Sequence, residues 1–322
     1  MPITPPSLAP GDWLALLAAI PAAALGGASF LKGVLGVAAW LRLPKLLVAT
    51  TLAAFATSSP EMAVSTLAAL SGEPEIGLGD ALGSNVVNVG LILGLALCFG
   101  ALTTRDHETK ADWVAALIVP FLTLALALDG GLSRTDGALL LALFALWLAW
   151  VARRAVAHRR QATAGAGPAV HPARAGLFVL AGLAGLVLAG RLFVTGASGI
   201  AAALGVHPYL IGATVVAVGT SLPELVTVLL ARWHGHDDVG LGTLLGSNLF
   251  NGLAIVGVAA TIHPIAAPLR EVAVALAFGA LTVLLALPRA GTLPRRRGLA
   301  LLAAYAAFAF ATFAFATVAL PP

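Results

Sequence analysis

Two glutamates stand inside long apolar stretches of the chain, and each ends the same kind of polar motif. Residues 56–61 read ATSSPE and end at Glu61, and residues 219–224 read GTSLPE and end at Glu224. We call them the first and the second acidic motif. A lone ionised carboxylate in the middle of a bilayer costs about 2.5–3.5 kcal/mol on insertion scales, so such residues usually serve a function. The motifs are therefore candidates for an ion or proton site.

Hydroxyl groups accompany each glutamate at helical spacing. Residues three and four apart share a face of a helix. The spacing predicts two matching sets of side chains that point together, namely Thr57, Ser58 and Glu61 in the first motif and Thr220, Ser221 and Glu224 in the second.

A Gly-Ser-Asn pattern follows each acidic motif. Residues 77–94 read GLGDALGSNVVNVGLILG and residues 240–257 read GLGTLLGSNLFNGLAIVG, with ten of eighteen positions identical. Within them a serine and an asparagine lie four apart, as Ser84 with Asn88 and as Ser247 with Asn251. We expect the intervening asparagines, Asn85 and Asn248, to donate hydrogen bonds between helices, and the glycines to permit close helix packing.

A proline precedes each glutamate and should expose backbone oxygen. Proline has no N–H for the carbonyl four residues back, so Pro60 and Pro223 are predicted to bend their helices and to loosen the carbonyls of Ala56 and Gly219. Carboxylate, hydroxyl, amide and carbonyl oxygens are hard ligands, which favour Ca²⁺ or Na⁺ over zinc or copper. No histidine or cysteine accompanies them, and no resident cofactor is expected.

Composition requires a bilayer around these motifs. The chain is 60% hydrophobic and 10% charged, with a mean hydropathy of +0.99. A membrane-spanning helix needs about 20 residues, so 322 residues with short loops allow roughly ten spans. We predict spans near 12–40, 44–70, 77–103, 112–128, 134–152, 175–203, 208–231, 239–262, 271–287 and 298–319.

Basic residues fix the predicted orientation. With the N-terminus outside, fourteen lysines and arginines fall in inside loops and only Arg134 and Arg270 fall outside, while Lys32 and Arg191 lie within spans. This asymmetry is what the positive-inside rule requires, so both termini are predicted outside. The basic segment 153–174 is predicted to be a flexible cytoplasmic linker.

A single offset relates the two halves. A shift of 163 residues, the separation of Glu61 and Glu224, superimposes the first acidic motif and residues 77–94 on their later copies. One offset for both motifs indicates a duplicated unit. The halves are 1–152, with its motif region at 44–103, and 175–322, with its motif region at 208–262. Five spans is an odd number, so the second half should cross the membrane upside down. The predicted fold is an all-α polytopic membrane protein of ten helices in two inverted five-helix repeats, with both glutamates at one midplane site.

Charge suggests how such a site would work. Two ionised glutamates carry −2, which one Ca²⁺ or several Na⁺ or H⁺ would neutralise. An empty site would be too unfavourable to cross between inward-facing and outward-facing states, so exchange would be obligatory. The expected partners are the lipid bilayer and cations, not nucleic acid. No HExxH or GxSxG motif points to an enzyme, and a cation channel is a distant alternative.

These residues resemble a known family. ATSSPE with GSNVVN, and GTSLPE with GSNLFN, look like the two α-repeats of the sodium/calcium exchanger branch of the Ca²⁺/cation antiporter superfamily, prokaryotic type. The resemblance implies Ca²⁺/Na⁺ antiport in the inner membrane of a prokaryote, with the first and sixth spans as a sliding gate. It further implies Ca²⁺ binding by Glu61, Glu224 and the main-chain oxygens of Thr57 and Thr220, flanking Na⁺ sites at Ser58, Ser221, Ser84, Ser247 and the carbonyls of Ala54 and Ala217, and remaining polar positions at Asn88 and Asn251.

The chain departs from the family pattern at Asn251. Exchangers of this type often carry an aspartate there, whereas both halves of this chain carry asparagine, at Asn88 and Asn251. The site therefore lacks one titratable group, and a Ca²⁺/H⁺ antiporter is the alternative to Ca²⁺/Na⁺ exchange.

Overall fold

The computed structural model describes residues 9–103, 106–161, 171–204, 217–267, 269–288 and 291–319, and all of these ranges except short connections are helical. The helices of the first half are α1 (Pro10–Leu41), α2 (Lys45–Thr57), α3 (Ser59–Leu70), α4 (Pro74–Cys98), α5 (Asp106–Leu126) and α6 (Arg134–Gln161). Those of the second half are α7 (Pro172–Ala203), α8 (Ala217–Thr220), α9 (Leu222–Trp233), α10 (Asp237–Ile262), α11 (Leu269–Ala286) and α12 (Arg295–Ala319).

Seven of the described helices are long and apolar enough to cross a membrane: α1, α4, α5, α6, α7, α10 and α12. The helix α2 and part of α11 are shorter apolar helices. The predicted spans coincide with the helices to within a few residues at most ends. Residues 208–216 of the seventh predicted span lie outside the described ranges.

The helix α6 corrects the predicted linker. It continues through Gln161, so residues 153–161 are helical, although the sequence analysis assigned them to a flexible connection. Arginine and alanine are good helix formers. Arg154 also packs over the Trp150 ring at 4.6 Å, and its Nη1 lies 3.9 Å from Oδ2 of the buried Asp112 in α5. These contacts stabilise the additional helical turns at residues 153–161. Residues 162–170 of the predicted linker lie outside the described residues.

The helices α4 and α10 form the centre of the protein. Most of each is buried, whereas most of α1, α6, α7 and α12 is not. The helix α10 packs against α2, α3 and α9, and α4 packs against α3. A Cβ atom at Gly246 would collide with the main chain of Thr50 in α2, and one at Gly242 would lie 3.0 Å from the Leu46 carbonyl. Gly242 and Gly246 therefore serve close packing, as predicted, whereas a Cβ atom at Gly79 or Gly83 of the first half would meet nothing within 4 Å.

Two short antiparallel strand pairs join the halves and were not predicted. Strand β1 (Leu102–Thr103) pairs with β4 (Thr292–Leu293), and β2 (Gly131–Leu132) pairs with β3 (Ile265–Ala266). Each pair takes one strand from each half of the chain. Strands of two residues are too short to show an alternating pattern of apolar side chains, so periodicity cannot reveal them.

The helices α1 and α7 pack along each other through glycines. A Cβ atom at Gly26 would lie 2.8 Å from the main chain of Gly185, and one at Gly33 would lie 2.5 Å from the main-chain nitrogen of Val179. Lys32 and Arg191, the basic residues predicted within these spans, are both exposed. The Lys32 ammonium lies over the Phe178 ring at 4.5 Å, a cation–π contact that joins the two helices.

Candidate ion-binding site

The acidic motifs interrupt their helices at the same position and with nearly the same geometry. The helix α2 ends before Ser58, at φ −86° and ψ 9°, and α8 ends before Ser221, at φ −84° and ψ 9°. Pro60 and Pro223 then lie in the first turns of α3 and α9, where a missing N–H costs nothing. The predicted distortion beside both glutamates is confirmed.

The predicted release of backbone carbonyls is wrong for Ala56. The Ser59 hydroxyl donates a hydrogen bond to the Ala56 carbonyl at 2.7 Å. Serine side chains readily bond to main-chain oxygens a few residues earlier, so the Ser59 hydroxyl takes the place of the missing proline N–H. Leu222 stands at the matching position of the second motif and cannot make that bond.

The hydroxyls of the first motif contact the glutamate of the second motif. Ser58 Oγ donates to Glu224 Oε1 at 3.0 Å, and the Thr57 hydroxyl also lies within hydrogen-bonding reach of this carboxylate. That Thr57 and Ser58 point together with Glu61 remains a prediction, because these contacts give the direction of the hydroxyls toward Glu224 and not that of the Glu61 side chain. The helix break at Ser58 places Glu61 in the first turn of α3.

Serines of the two central helices complete the polar cluster. Ser247 Oγ of α10 donates to Glu224 Oε1 at 3.2 Å, and Ser221 Oγ donates to Ser84 Oγ of α4 at 3.4 Å. Ser58, Ser84, Ser221, Ser247, Glu61 and Glu224 are each at most 1% exposed. The structure thus brings these predicted residues into one buried cluster. Glu224 Oε1 accepts from the Ser58 and Ser247 hydroxyls, whereas Glu61 is buried at a position where Glu224 and Asp80 add negative charge.

Asn85 and Asn248 make reciprocal hydrogen bonds between α4 and α10. Asn85 Nδ2 donates to the Asn248 carbonyl at 3.3 Å, and Asn248 Nδ2 donates to the Asn85 carbonyl, also at 3.3 Å. Asn88 Nδ2 adds a bond to Asn248 Oδ1 at 3.0 Å. The prediction that Asn85 and Asn248 link helices is confirmed.

Several side-chain oxygen atoms of the predicted site residues are buried without a donor. Glu61 Oε2, Glu224 Oε2, Asn88 Oδ1 and Asn251 Oδ1 have no hydrogen-bond partner within the described ranges. None of the salt bridges found among those residues involves either glutamate. Unsatisfied buried oxygens are costly. An exclusively oxygen-bearing set of this kind suits a hard cation.

The remaining predicted ligands are main-chain groups of the helix ends. The Ala54 carbonyl accepts from Ser58 N at 3.0 Å and from Thr57 Oγ1 at 3.3 Å. Ala217 and Thr220 are the first and last residues of α8, the half-helix that precedes Ser221. The ligand roles of these groups remain predictions.

One feature of the site was not predicted. Stretches of π-helix occur in α2 at Ala49–Ala53, in α4 at Val87–Leu93 and in α10 at Phe250–Ile255, so Asn88 and Asn251 both lie in π-helical turns. Such turns are frequent at functional sites.

Asp80 stands near the start of the third predicted span, where the sequence leaves two roles open: an acid there either attracts cations to the site or is favoured by the helix N-terminus. The structure adds a hydrogen bond between its side chain and Thr220.

Buried carboxylate and amide oxygens between membrane-spanning helices define the class of protein as an ion-transporting membrane protein. A family model described as sodium/calcium exchanger protein matches residues 12–153 and 175–314. The chain belongs to the sodium/calcium exchanger family. Since this is a family of transporters, the expectation that the protein is not an enzyme is confirmed, and so is the predicted family.

Individual relatives agree with this assignment. The putative antiporter CaxA of Alkalimonas amylolytica is 34% identical over 241 residues, which cover 73% of this chain and 76% of that protein. The inner membrane protein YrbG of Escherichia coli is 34% identical over 230 residues, covering 69% of this chain and 71% of that protein. The solved structure of the sodium/calcium exchanger from Methanococcus jannaschii superimposes with a TM-score of 0.79 at 29% identity, covering 92% and 96% of the two chains.

Proposed function

We propose that the protein is a secondary active antiporter that exchanges Ca²⁺ for Na⁺ by alternating access at a site built around Glu61 and Glu224. Its place in the sodium/calcium exchanger family supports cation antiport in general. The specific proposal depends on the buried, unsatisfied oxygen atoms of the two glutamates and of Asn88 and Asn251.

The charge of the site favours Ca²⁺ as one substrate. Both glutamates are almost fully buried and have no cationic partner among the described side chains. Two carboxylates at close range in a medium of low dielectric repel each other strongly, so the site requires positive charge. One Ca²⁺, or more than one Na⁺, would meet this requirement with oxygen ligands alone.

An inverted repeat accounts for the location of the site. Residues related by a separation of 163 positions make equivalent contacts, as in the reciprocal bonds of Asn85 and Asn248. Each of the two strand pairs also contains one strand from each half, since β1 pairs with β4 and β2 pairs with β3. Such contacts support a pseudo-twofold axis through the middle of the protein, where transporters with inverted repeats bind their substrates.

Contacts between loops support the ten-span arrangement. Loops assigned to the inside contact one another: Lys45 Nζ lies 3.2 Å from His236 Nδ1, and Arg232 Nη2 donates to the Ala101 carbonyl at 3.0 Å. Loops assigned to the outside do the same, because Glu75 Oε1 accepts from the Ala266 amide at 3.2 Å. We assign both termini to the outside on the positive-inside rule, and the protein to the inner membrane of a prokaryote.

The helices α1 and α7 would form the moving gate. They contact each other along glycine-lined faces, where main chains approach closely, as at Gly26 and Gly185. Small residues at a helix contact permit this close packing, so α1 and α7 would move together as one pair. Movement of this pair past the buried helices α4 and α10 would open the site to each side of the membrane in turn.

The decisive experiment is flux through the purified protein. Proteoliposomes loaded with Na⁺ should accumulate ⁴⁵Ca²⁺ when placed in Na⁺-free buffer, and Glu61→Gln and Glu224→Gln should each abolish this uptake. Glu73→Gln, which removes an exposed acid at the start of α4, is the matched control and should transport normally. If both buried-glutamate variants still exchange at the wild-type rate, the site proposal is wrong.

A Ca²⁺/H⁺ antiporter is the second candidate. It is favoured by the amide of Asn251. The amide oxygen is buried and has no hydrogen-bond partner among the described residues, but it carries no charge. Uptake of ⁴⁵Ca²⁺ driven by a pH gradient in Na⁺-free buffer, with none driven by Na⁺ alone, would support this alternative. Under the Na⁺ proposal, Asn251→Asp adds a negative charge and should raise the charge moved per cycle, which the reversal potential of the exchange reports.

A further inference from the structure

Asp80 is an acidic residue close to the proposed site that the exchange mechanism does not use. It lies in α4, one helical turn before Ser84, and its side chain shares a hydrogen bond with Thr220 of α8. This contact joins the first half of the chain to the second acidic motif. Its Oδ2 atom is buried and has no hydrogen-bond partner among the described residues.

The position of Asp80 is asymmetric between the repeats. Its counterpart under the 163-residue offset is Thr243, whose hydroxyl donates to the Val239 carbonyl of its own helix at 2.9 Å. Thr57, the counterpart of Thr220, lies near Glu224 instead. The repeat therefore places a carboxylate on one side of the site and a satisfied hydroxyl on the other.

Asp80 lies on one membrane side of the polar cluster. The helix α4 begins at Pro74 and reaches Asp80 before Ser84, so Asp80 stands between the cluster and the membrane face at which α4 starts. Thr243 lies correspondingly toward the start of α10. A cation that approaches Glu61 from the α4 side would meet the Asp80 carboxylate first.

The charge of Asp80 acts on the site itself. Its carboxylate adds to the negative potential at Glu61, together with that of Glu224. Ionisable residues in membrane-spanning segments are costly and usually line the path of an ion. The unpartnered Oδ2 atom leaves Asp80 with an oxygen available to a cation while its hydrogen bond to Thr220 is kept.

We propose that Asp80 is a cation ligand at the mouth of the site, which receives Ca²⁺ on the α4 side and makes binding from that side tighter than from the other. This inference rests on the proposed function and assigns a sidedness to it. The other role open to Asp80 is purely structural, as the acceptor that holds Thr220 and hence the end of α8.

Two variants separate the roles of charge and hydrogen bonding. Asp80→Asn keeps an oxygen that can accept from Thr220 but removes the negative charge, whereas Asp80→Ala removes both. Glu73→Gln is the control, because it removes an exposed acid from the start of the same helix. If charge is what matters, Asp80→Asn and Asp80→Ala should weaken Ca²⁺ binding alike and Glu73→Gln should not.

The test measures each membrane face separately. Right-side-out and everted vesicles from the same expressing cells are loaded with Na⁺, and the Ca²⁺ concentration for half-maximal ⁴⁵Ca²⁺ uptake is determined in each. Loss of one nearby charge should raise this concentration about tenfold at the face where α4 begins, with little change at the opposite face. Equal increases at both faces, or wild-type values for Asp80→Asn, would overturn the proposal.

A binding measurement tests the role of Asp80 independently of whether the proposed Ca²⁺/Na⁺ exchange is correct. Titration of the purified protein in detergent with CaCl₂ requires no transport, and Asp80→Asn should weaken Ca²⁺ binding relative to Glu73→Gln. If the wild type binds Ca²⁺ but shows no Na⁺-driven flux, the counter-ion is wrong, and the effect of Asp80→Asn on binding still decides the role of Asp80. Unchanged binding contradicts that role.

Discussion

Asn85 and Asn248 each donate a side-chain hydrogen bond to the main-chain carbonyl of the other, at 3.3 Å in both directions. The two residues are separated by 163 positions, so one contact is the image of the other. Both side chains are buried at the contact between α4 and α10. The pair therefore fixes the relative position of the two helices that carry Ser84 and Ser247.

This pairing predicts that Asn85→Ala and Asn248→Ala both destabilise the protein, and that Asn248→Ala does so more. Asn85→Ala removes one interhelical hydrogen bond, which is worth about 1 kcal/mol inside membrane proteins, whereas Asn248→Ala also removes the bond that Asn248 Oδ1 accepts from Asn88. Thermal unfolding in detergent, followed by intrinsic fluorescence, should show a decrease for both variants and a larger one for Asn248→Ala. A large effect of one variant beside none of the other would contradict the reciprocal arrangement.

Removing the charge of Glu61 should stabilise the protein when no cations are bound. Burial disfavours an ionised Glu61, and the negative charges of Glu224 and Asp80 add to this penalty, which the uncharged side chain of Glu61→Gln does not incur. In EDTA and without Na⁺, this variant should unfold at a higher temperature than the wild type. Ca²⁺ at 100 times its dissociation constant should stabilise the wild type by about 2.7 kcal/mol and the variant by much less.

Glu73→Gln serves as the comparison for this experiment, since Glu73 is exposed. It should unfold as the wild type does in both buffers. A Glu61→Gln protein that is less stable than the wild type in EDTA would show that Glu61 makes favourable contacts that outweigh the repulsion.

Ser58 and Ser59 are neighbours with different predicted roles. Ser58 Oγ donates to Glu224, whereas Ser59 Oγ donates to the Ala56 carbonyl. Ser58→Ala should raise the Na⁺ concentration for half-maximal exchange about tenfold, because it removes a predicted oxygen ligand of Na⁺, and a loss of about 1.4 kcal/mol of binding free energy corresponds to that factor. Ser59→Ala should lower the unfolding temperature and leave the Na⁺ dependence unchanged. The assay is ⁴⁵Ca²⁺ flux at varied Na⁺, and identical Na⁺ dependence for both variants would refute the distinction.

His236 should make stability depend on pH. Partial burial lowers the pKa of His236, the charge of Lys45 and that of His234 lower it further, and Asp238 acts in the opposite direction. The unfolded chain then takes up a proton at a higher pH than the folded protein. Stability is therefore full above the ordinary histidine pKa of about 6.5 and is lost as the pH falls through the lower folded pKa.

The variant His236→Gln should flatten this dependence. Unfolding temperatures measured from pH 8 to pH 5 should fall less steeply for it than for the wild type. His263→Gln, which changes an exposed histidine at the other end of α10, is the control and should retain the wild-type slope. Equal slopes for the wild type and His236→Gln would show that other groups control the pH dependence.

The sequence predicted the elements of the site better than their contacts. Apolar length predicted the helices, and the repeated motifs predicted that Glu61, Glu224 and the four serines lie close together. Both predictions succeed because the helices depend on hydropathy and the motifs depend on residue spacing. Pro60 predicted the backbone break, but the direction of Ser58 toward Glu224 depends on how the two halves pack together, which no local pattern of side chains encodes. No such pattern encodes the bond of Ser59 to the Ala56 carbonyl or the π-helical turns at Asn88 and Asn251.

The short strand pairs have a mechanical consequence. The β1–β4 pair joins the connection between α4 and α5 to the connection between α11 and α12. The β2–β3 pair joins the connection between α5 and α6 to the connection between α10 and α11. None of the strand pairs in the described ranges includes a residue adjoining α1 or α7. The strand pairs thus connect α4, α5, α6, α10, α11 and α12, whereas α1 and α7 lack such a connection within the described residues, and amide exchange should be slow at the strands and faster along α1 and α7.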